Sequence, residues 1–256
     1  MDTLEFKVLA VVLLAISGLI GGLVPLRIEL SKTGKRLLML GNALAGGIFL
    51  GAGLIHMLGD AVDLFETISG DSDYPWALFV CGCGFLAILM LERVCAGREE
   101  SDVSADGRSI YPYVLLLVLS VHSVIAGVSL GLERDMAATV VLFIALIAHK
   151  GAAAFALGVG LRNSGTEVAT HKKLVAFFSS MTPLGCCLGT VFARSATGDT
   201  IDHFEAVFDA LAAGTFLYVA ILDIIAESFE SRRDRLKKFL LVFAGFGLMA
   251  LVAIWT

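Results

Sequence analysis

The chain has 256 residues, of which 57% are hydrophobic and 17% charged, with a mean hydropathy of +0.87. A soluble domain carries roughly a quarter charged residues, so the composition excludes an ordinary soluble enzyme and leaves an all-α polytopic membrane protein. A net charge of −5, with 19 Lys and Arg and no basic cluster beside an aromatic patch, excludes a nucleic-acid binder. The 5 Cys show no secreted disulfide framework.

Eight apolar runs are long enough to cross a bilayer, which takes roughly 17 to 25 residues. They cover about 7–26, 38–59, 75–93, 111–132, 137–160, 173–193, 205–227 and 239–255. Most are apolar all round instead of along one stripe, as expected of membrane spans, and they are too long and continuous for barrel strands. A six-residue connection, Gly131 to Met136, makes the fourth and fifth helices neighbours. The whole chain, 1–256, reads as one integral membrane unit with a short loop at 94–110.

Basic residues alternate between loops. Arg27, Lys32, Lys35 and Arg36 follow helix 1; Arg93, Arg98 and Arg108 follow helix 3; Arg162, Lys172 and Lys173 follow helix 5; Arg232, Arg233, Arg235, Lys237 and Lys238 follow helix 7. The other loops hold only Arg134 and Arg194. The positive-inside rule puts the four basic loops, 94–110 among them, in the cytoplasm and both termini on the exoplasmic or luminal side. Asp60, Asp63, Glu66, Asp71 and Asp73 make the connection after helix 2 acidic.

An internal repeat is visible. Leu44-Ala45-Gly46-Gly47-Ile48-Phe49-Leu50 resembles Leu211-Ala212-Ala213-Gly214-Thr215-Phe216-Leu217, and the same register sets His56 opposite Asp223 and Asp60 opposite Glu227. The two helices run in opposite directions in this topology, the mark of an inverted repeat. A second similarity aligns His122 to Gly131 with His149 to Gly158, dividing the chain into three, two and three helices. Pro25 and Pro183 match only weakly.

Ionisable residues inside spans are costly and face a bundle interior or a cavity. His122 and His149 sit near the centres of neighbouring antiparallel helices, where their imidazoles can meet and hold a transition metal. His56 with Asp60, and Asp223 with Glu227, are spaced four apart and share a helix face. They read as an outer and an inner station flanking the centre. Lys150 stands beside His149 as a fixed or titratable charge, or as the partner of a carboxylate. Met181-Thr182-Pro183-Leu184-Gly185 reads as a kink with a free carbonyl that puts Thr182 on the path.

The ordered set of these motifs resembles the ZIP (Zrt/Irt-like, solute carrier family 39) metal transporters, in the branch of the ZIP1–3-type proteins. It consists of His122-Ser123-Val124-Ile125-Ala126-Gly127, His149-Lys150-Gly151, Ala45-Gly46-Gly47-Ile48-Phe49-Leu50 with His56 and Asp60, Met181 to Gly185, and Ala213 to Val219 with Asp223. The resemblance implies eight helices in a three-two-three inverted repeat, no enzymatic activity, no cofactor and a homodimeric assembly. It implies import of a divalent ion into the cytoplasm, zinc first and Fe2+ or another metal next. The plasma membrane is the expected location and an endomembrane the alternative. His122 and His149 match the central ligands, and Ser123 and Lys150 match positions where some relatives place ligands of a second ion. Ala126 stands where the branch has Glu or Asp, Ala153 where some branches are acidic, and Gly59 where Pro is common. These departures raise the alternative of a transport-impaired relative that binds metal or partners and regulates metal homeostasis.

Overall fold

The computed structural model describes residues 2–29, 31–70, 73–95, 111–192 and 198–255, and the regular structure in them is helical. Each apolar run has its helix: α1 Thr3–Arg27, α2 Lys32–Ser69, α3 Trp76–Leu89 continued by Met90–Cys95, α4 Tyr111–Leu132, α5 Met136–Asn163, α6 Val168–Phe192, α7 residues 198–230 and α8 Arg235–Val252. The first seven are long and apolar enough to cross a membrane. The eighth has 18 residues and opens with Arg235, Lys237 and Lys238, after which it is uncharged to its end. Of the predicted loop 94–110, Val94 and Cys95 end α3; the rest lies outside the described residues, as does Asp71.

Several helices outrun their apolar runs. The largest excess is in α2, whose 38 residues extend about 57 Å at 1.5 Å per residue, against a hydrocarbon core of about 30 Å. Asp60, Asp63 and Glu66 therefore lie on the helix and not in a loop. Starts are set by caps: Asp2 accepts from the Glu5 amide while Glu5 accepts from the Asp2 amide, and Ser31 and Asp135 cap α2 and α5. Pro183 lies within α6, which continues helical to Phe192.

Three helices contain π turns: Ala52–Met57 in α2, Met90–Cys95 in α3 and Val219–Ile225 in α7. The repeat register that sets Leu44 opposite Leu211 also superposes the first of these on the third. Such turns are rare and cluster at functional sites. Here they carry His56 and Asp223.

Helix α1 packs along α5 and α6, α4 along α6 and beside α5, α2 along α8, and α3 along α7, while α2 and α7 cross in the centre. Exchanging α1 with α6, α2 with α7, α3 with α8 and α4 with α5 maps these contacts onto themselves. The correspondence extends to atoms. A Cβ on Gly47 would strike the Val242 carbonyl, and one on Gly214 the Cys81 carbonyl. One on Gly245 would strike the Leu44 carbonyl, and one on Gly84 the Leu211 carbonyl. Glycine at these four places lets backbones approach where any side chain would hold them apart. The core gathers between α2, α4, α5 and α7, with Phe49 and Phe216, themselves repeat equivalents, stacked at 4.7 Å.

Candidate metal-binding site

Antiparallel packing of α4 and α5 brings the His122 and His149 rings to 5.7 Å between centroids. The π turn in α2 adds a third imidazole: His56 lies 6.0 Å from His149. The three rings form a file, His56–His149–His122, so the expected outer station and centre are contiguous. His56 Nδ1 is 2.8 Å from Asp60 Oδ2. A carboxylate on one ring nitrogen orients the other toward a metal. Both ring nitrogens of His122 are buried without a hydrogen-bond partner among the described residues. Native buried polar atoms are almost always partnered, and a neutral imidazole nitrogen is a zinc ligand.

Lys150 is 4% exposed. Its Nζ donates to Ser123 Oγ and Thr182 Oγ1, both at 2.9 Å, and lies 3.9 Å from the Phe178 ring centre. Two hydroxyls and an aromatic face thus hold the ammonium, and among the described residues no salt bridge to a carboxylate joins them. Ala126 and Ala153 line the same cavity, together with His122, His149, Ser123, Thr182 and Phe216. The cavity offers about 10 Å³ to the centre of a water-sized particle, about the least that one water requires. A hydrated ion does not fit in that space. Phe216 lines it too, edge-on to His122 at 4.8 Å and to His149 at 6.3 Å.

The inner pair is arranged differently from its sequence spacing. Asp223 is buried and Glu227 exposed, because the π turn Val219–Ile225 shifts the register; Ser228 takes the buried face instead. Asp223 lies within electrostatic reach of Arg93 and Tyr218, and Arg93 Nε donates to the Tyr218 hydroxyl at 3.4 Å. Among the described residues, no three His, Cys, Asp or Glu converge closely enough to hold one ion together. The six expected residues therefore do not form one closed site among the described residues.

Sequence reasoning missed Asp209. It lies on α7, within electrostatic reach of Asp60 and His56, with Glu205 one turn earlier. An acid inside the apolar run 205–227 was the available signal. It also missed Lys7, whose Nζ donates to the Gly131 and Glu133 carbonyls at 2.6 and 2.5 Å, and His171, whose Nε2 is 2.9 Å from the Gly22 carbonyl. Both staple helix backbones together.

A family model described as ZIP zinc transporter matches residues 4–109 and 95–253. The chain is 33% identical to zinc transporter ZIP2 of Mus musculus, over 86% of each chain. It is 31% identical to zinc transporter ZIP1 of Mus musculus, over 96% of this chain and 90% of that one. Against zinc transporter ZIP3 of Homo sapiens the identity is 27%, over 95% and 96%.

Proposed function

This chain belongs to the ZIP zinc-transporter family, whose members are transporters and not enzymes, and from that membership we propose that it imports a divalent ion, zinc first, along the histidine file into the cytoplasm. The observation that carries the route is the spacing of the three rings, 6.0 and 5.7 Å, which lets an ion be shared by one pair before it leaves the previous one. Conduction needs sites that bind well enough to admit an ion and weakly enough to release it. Pairs of neutral imidazoles meet that need better than a closed four-ligand cage. The ion gathers at Asp60 and His56, passes His149 and His122, and leaves past Asp223 and Glu227. Ser123 and Thr182 border the path and hold Lys150, whose fixed charge stands where a second ion would otherwise sit.

Movement past Phe216 requires the helices to shift. The reciprocal packing of α1–α3 and α6–α8 around α4 and α5 supports a three-two-three inverted repeat, the architecture of alternating access. With basic connections inside and both termini outside, an inside-negative potential favours entry by about 2.3 kcal/mol per elementary charge per 100 mV. The sequence holds no GxxxxGK[ST] phosphate loop, so the gradient and this potential supply the drive. Residence in the plasma membrane as a homodimer completes the reading.

The test is zinc entry into sealed liposomes carrying purified protein and an internal zinc-sensitive dye. Saturable entry is expected, with iron, manganese and cadmium ranked by competition, and its loss in the His122→Ala/His149→Ala double variant. Entry by that variant at the parental rate sinks the route. A second reading, a transport-impaired relative that regulates metal homeostasis, is favoured by Ala126: the cavity at His122 has no carboxylate in its lining. The Ala126→Glu variant separates the two. A parent that imports, with zinc binding tightened about tenfold or more by the added charge, supports the transporter. An inert parent that gains import from this one substitution supports the impaired relative.

A further inference from the structure

We infer that the basic end of the α2–α8 pair binds the phosphate head group of an anionic phospholipid. The surface takes no part in the route: Arg36 precedes His56 on α2 by 20 residues, about 30 Å of helix. Only its assignment to the cytoplasmic leaflet rests on the orientation proposed above.

Helices α2 and α8 run parallel and begin on one side. From Gly47 to Gly51 along α2, the residue that an added Cβ would strike moves from Val242 to Met249 along α8. Their starts are tied at one carboxylate. Asp234 accepts from Arg36 Nε and Nη2 at 2.6 and 2.7 Å, and Arg233 Nε and Lys237 Nζ stand 3.7 and 3.9 Å from it. One acid thus faces three cations. The Arg233 and Lys237 side chains are each 64% exposed and that of Asp234 only 13%, so the surplus charge is turned outward and the acid is not. Lys32, Lys35, Arg232 and Arg235 are exposed in the same two segments. Over 27–38 and 230–238 there are nine basic residues against Glu29, Glu230 and Asp234. Lys238 is not part of this surface; it is buried, and its Nζ donates to the Ser231 carbonyl at 3.0 Å. The positive-inside rule accounts for basic residues on this side of the membrane. It does not require two segments 198 residues apart to converge on one carboxylate.

What lies beside the charges identifies the anion as a lipid's. Leu236, Phe239, Leu240 and Phe243 share one face of α8, and each is more than half exposed. The helix is uncharged from Phe239 to its end. In a membrane such a face stands against acyl chains, and the basic turn before it is at the depth of the head groups, where long cationic side chains extend. Clusters of Lys and Arg at that depth attract anionic lipids. A phosphate monoester carries about 1.5 to 2 negative charges at neutral pH, which suits three cations gathered on one carboxylate.

Equilibrium binding to the purified full-length protein in neutral detergent tests this without zinc or transport. The probes are dioctanoyl phosphatidic acid, dioctanoyl phosphatidylcholine with the same tails, and inorganic phosphate. Phosphatidic acid is expected to bind more tightly than either by about tenfold or more. Arg233→Gln/Lys237→Gln is expected to weaken it about 25-fold, about fivefold for each charge near a membrane surface, with the parental gel-filtration profile. Lys172→Gln/Lys173→Gln removes two exposed charges near the start of α6 and is expected to leave binding unchanged. Equal binding of the two lipids overturns the inference. Equal loss in both double variants does so too, since it shows diffuse attraction without a site. Phosphate bound as tightly as phosphatidic acid overturns the lipid as occupant. Should Arg233→Gln/Lys237→Gln fail to fold, Lys32→Gln/Lys35→Gln takes its place with the same expected loss. Zinc import by a parent that lacks the lipid preference refutes the surface and leaves the route standing. The preference in a parent that does not import does the reverse.

Discussion

Two buried lysines, Lys7 and Lys150, have different work. Lys150 is held by two hydroxyls and the Phe178 face beside the central histidines, and no salt bridge to a carboxylate engages it among the described residues. Lys7 is far from the histidine file. It caps the end of α4, where carbonyls are left without intrahelical donors and a cation is favoured by the helix dipole. Lys7→Met is expected to destabilise the protein by about 1–3 kcal/mol, the cost of stranding buried acceptors, seen as a lower melting temperature in detergent. Zinc affinity should stay at the parental value; a shift in affinity with unchanged melting would show that Lys7 belongs to the site. Nothing in the local sequence around Lys7 announces this role, because its partners are more than a hundred residues away. His122 and His149 are the opposite case, since an imidazole in the middle of an apolar run is conspicuous whatever surrounds it.

Among the helices, apolar length located each of the eight, seven of them long and apolar enough to cross a membrane, yet it could not show where a helix continues beyond its apolar run. The charged ends of α2 carry no hydropathy signal, and it is hydrogen bonding that prolongs the helix through Ser69. The π turns are likewise invisible in the letters. Two of the three lie where α2 and α7 cross, and these carry His56 and Asp223. The glycines give the helices their reciprocal fit. Gly47→Ala and Gly214→Ala are expected to destabilise by similar amounts, about 1–3 kcal/mol each, because the neighbouring atom is a backbone carbonyl that cannot swing aside. Thermal unfolding of both variants in one detergent checks this. A large loss at one position and none at the other would show that the two halves are packed differently.

For the molecule as a whole, α2 with α8 and α3 with α7 form matching pairs around the α4–α5 centre, and motion between such units is what the proposed route requires. One clamp ties the α2–α8 pair at its basic end: Arg36 donates to both carboxylate oxygens of Asp234 at 2.6 and 2.7 Å. The Arg36 hydrogen bond holds the Asp234 carboxyl below its ordinary range. A depressed carboxylate stabilises the fold above its unfolded pKa, and that contribution is lost only as pH falls through the lower folded value. Between about pH 5 and 8 the clamp is therefore constant. Asp234→Asn is expected to leave the shape of the uptake–pH curve over that window unchanged, measured in the same liposomes. A displaced curve would place the clamp in the transport cycle.

Composition and the period of apolar runs were sufficient by themselves for the membrane class and the helices, and they made His122 and His149 conspicuous, because burial in hydrocarbon penalises a polar residue. Tertiary structure decided which of those residues meet. It joined His56 to the centre, left Lys150 on hydroxyls and separated Asp223 from Glu227. Those outcomes depend on how two antiparallel helices rotate against each other. A π turn changes that rotation by a fraction of a turn, which alters no letter of the sequence but decides which side chains face the same ion.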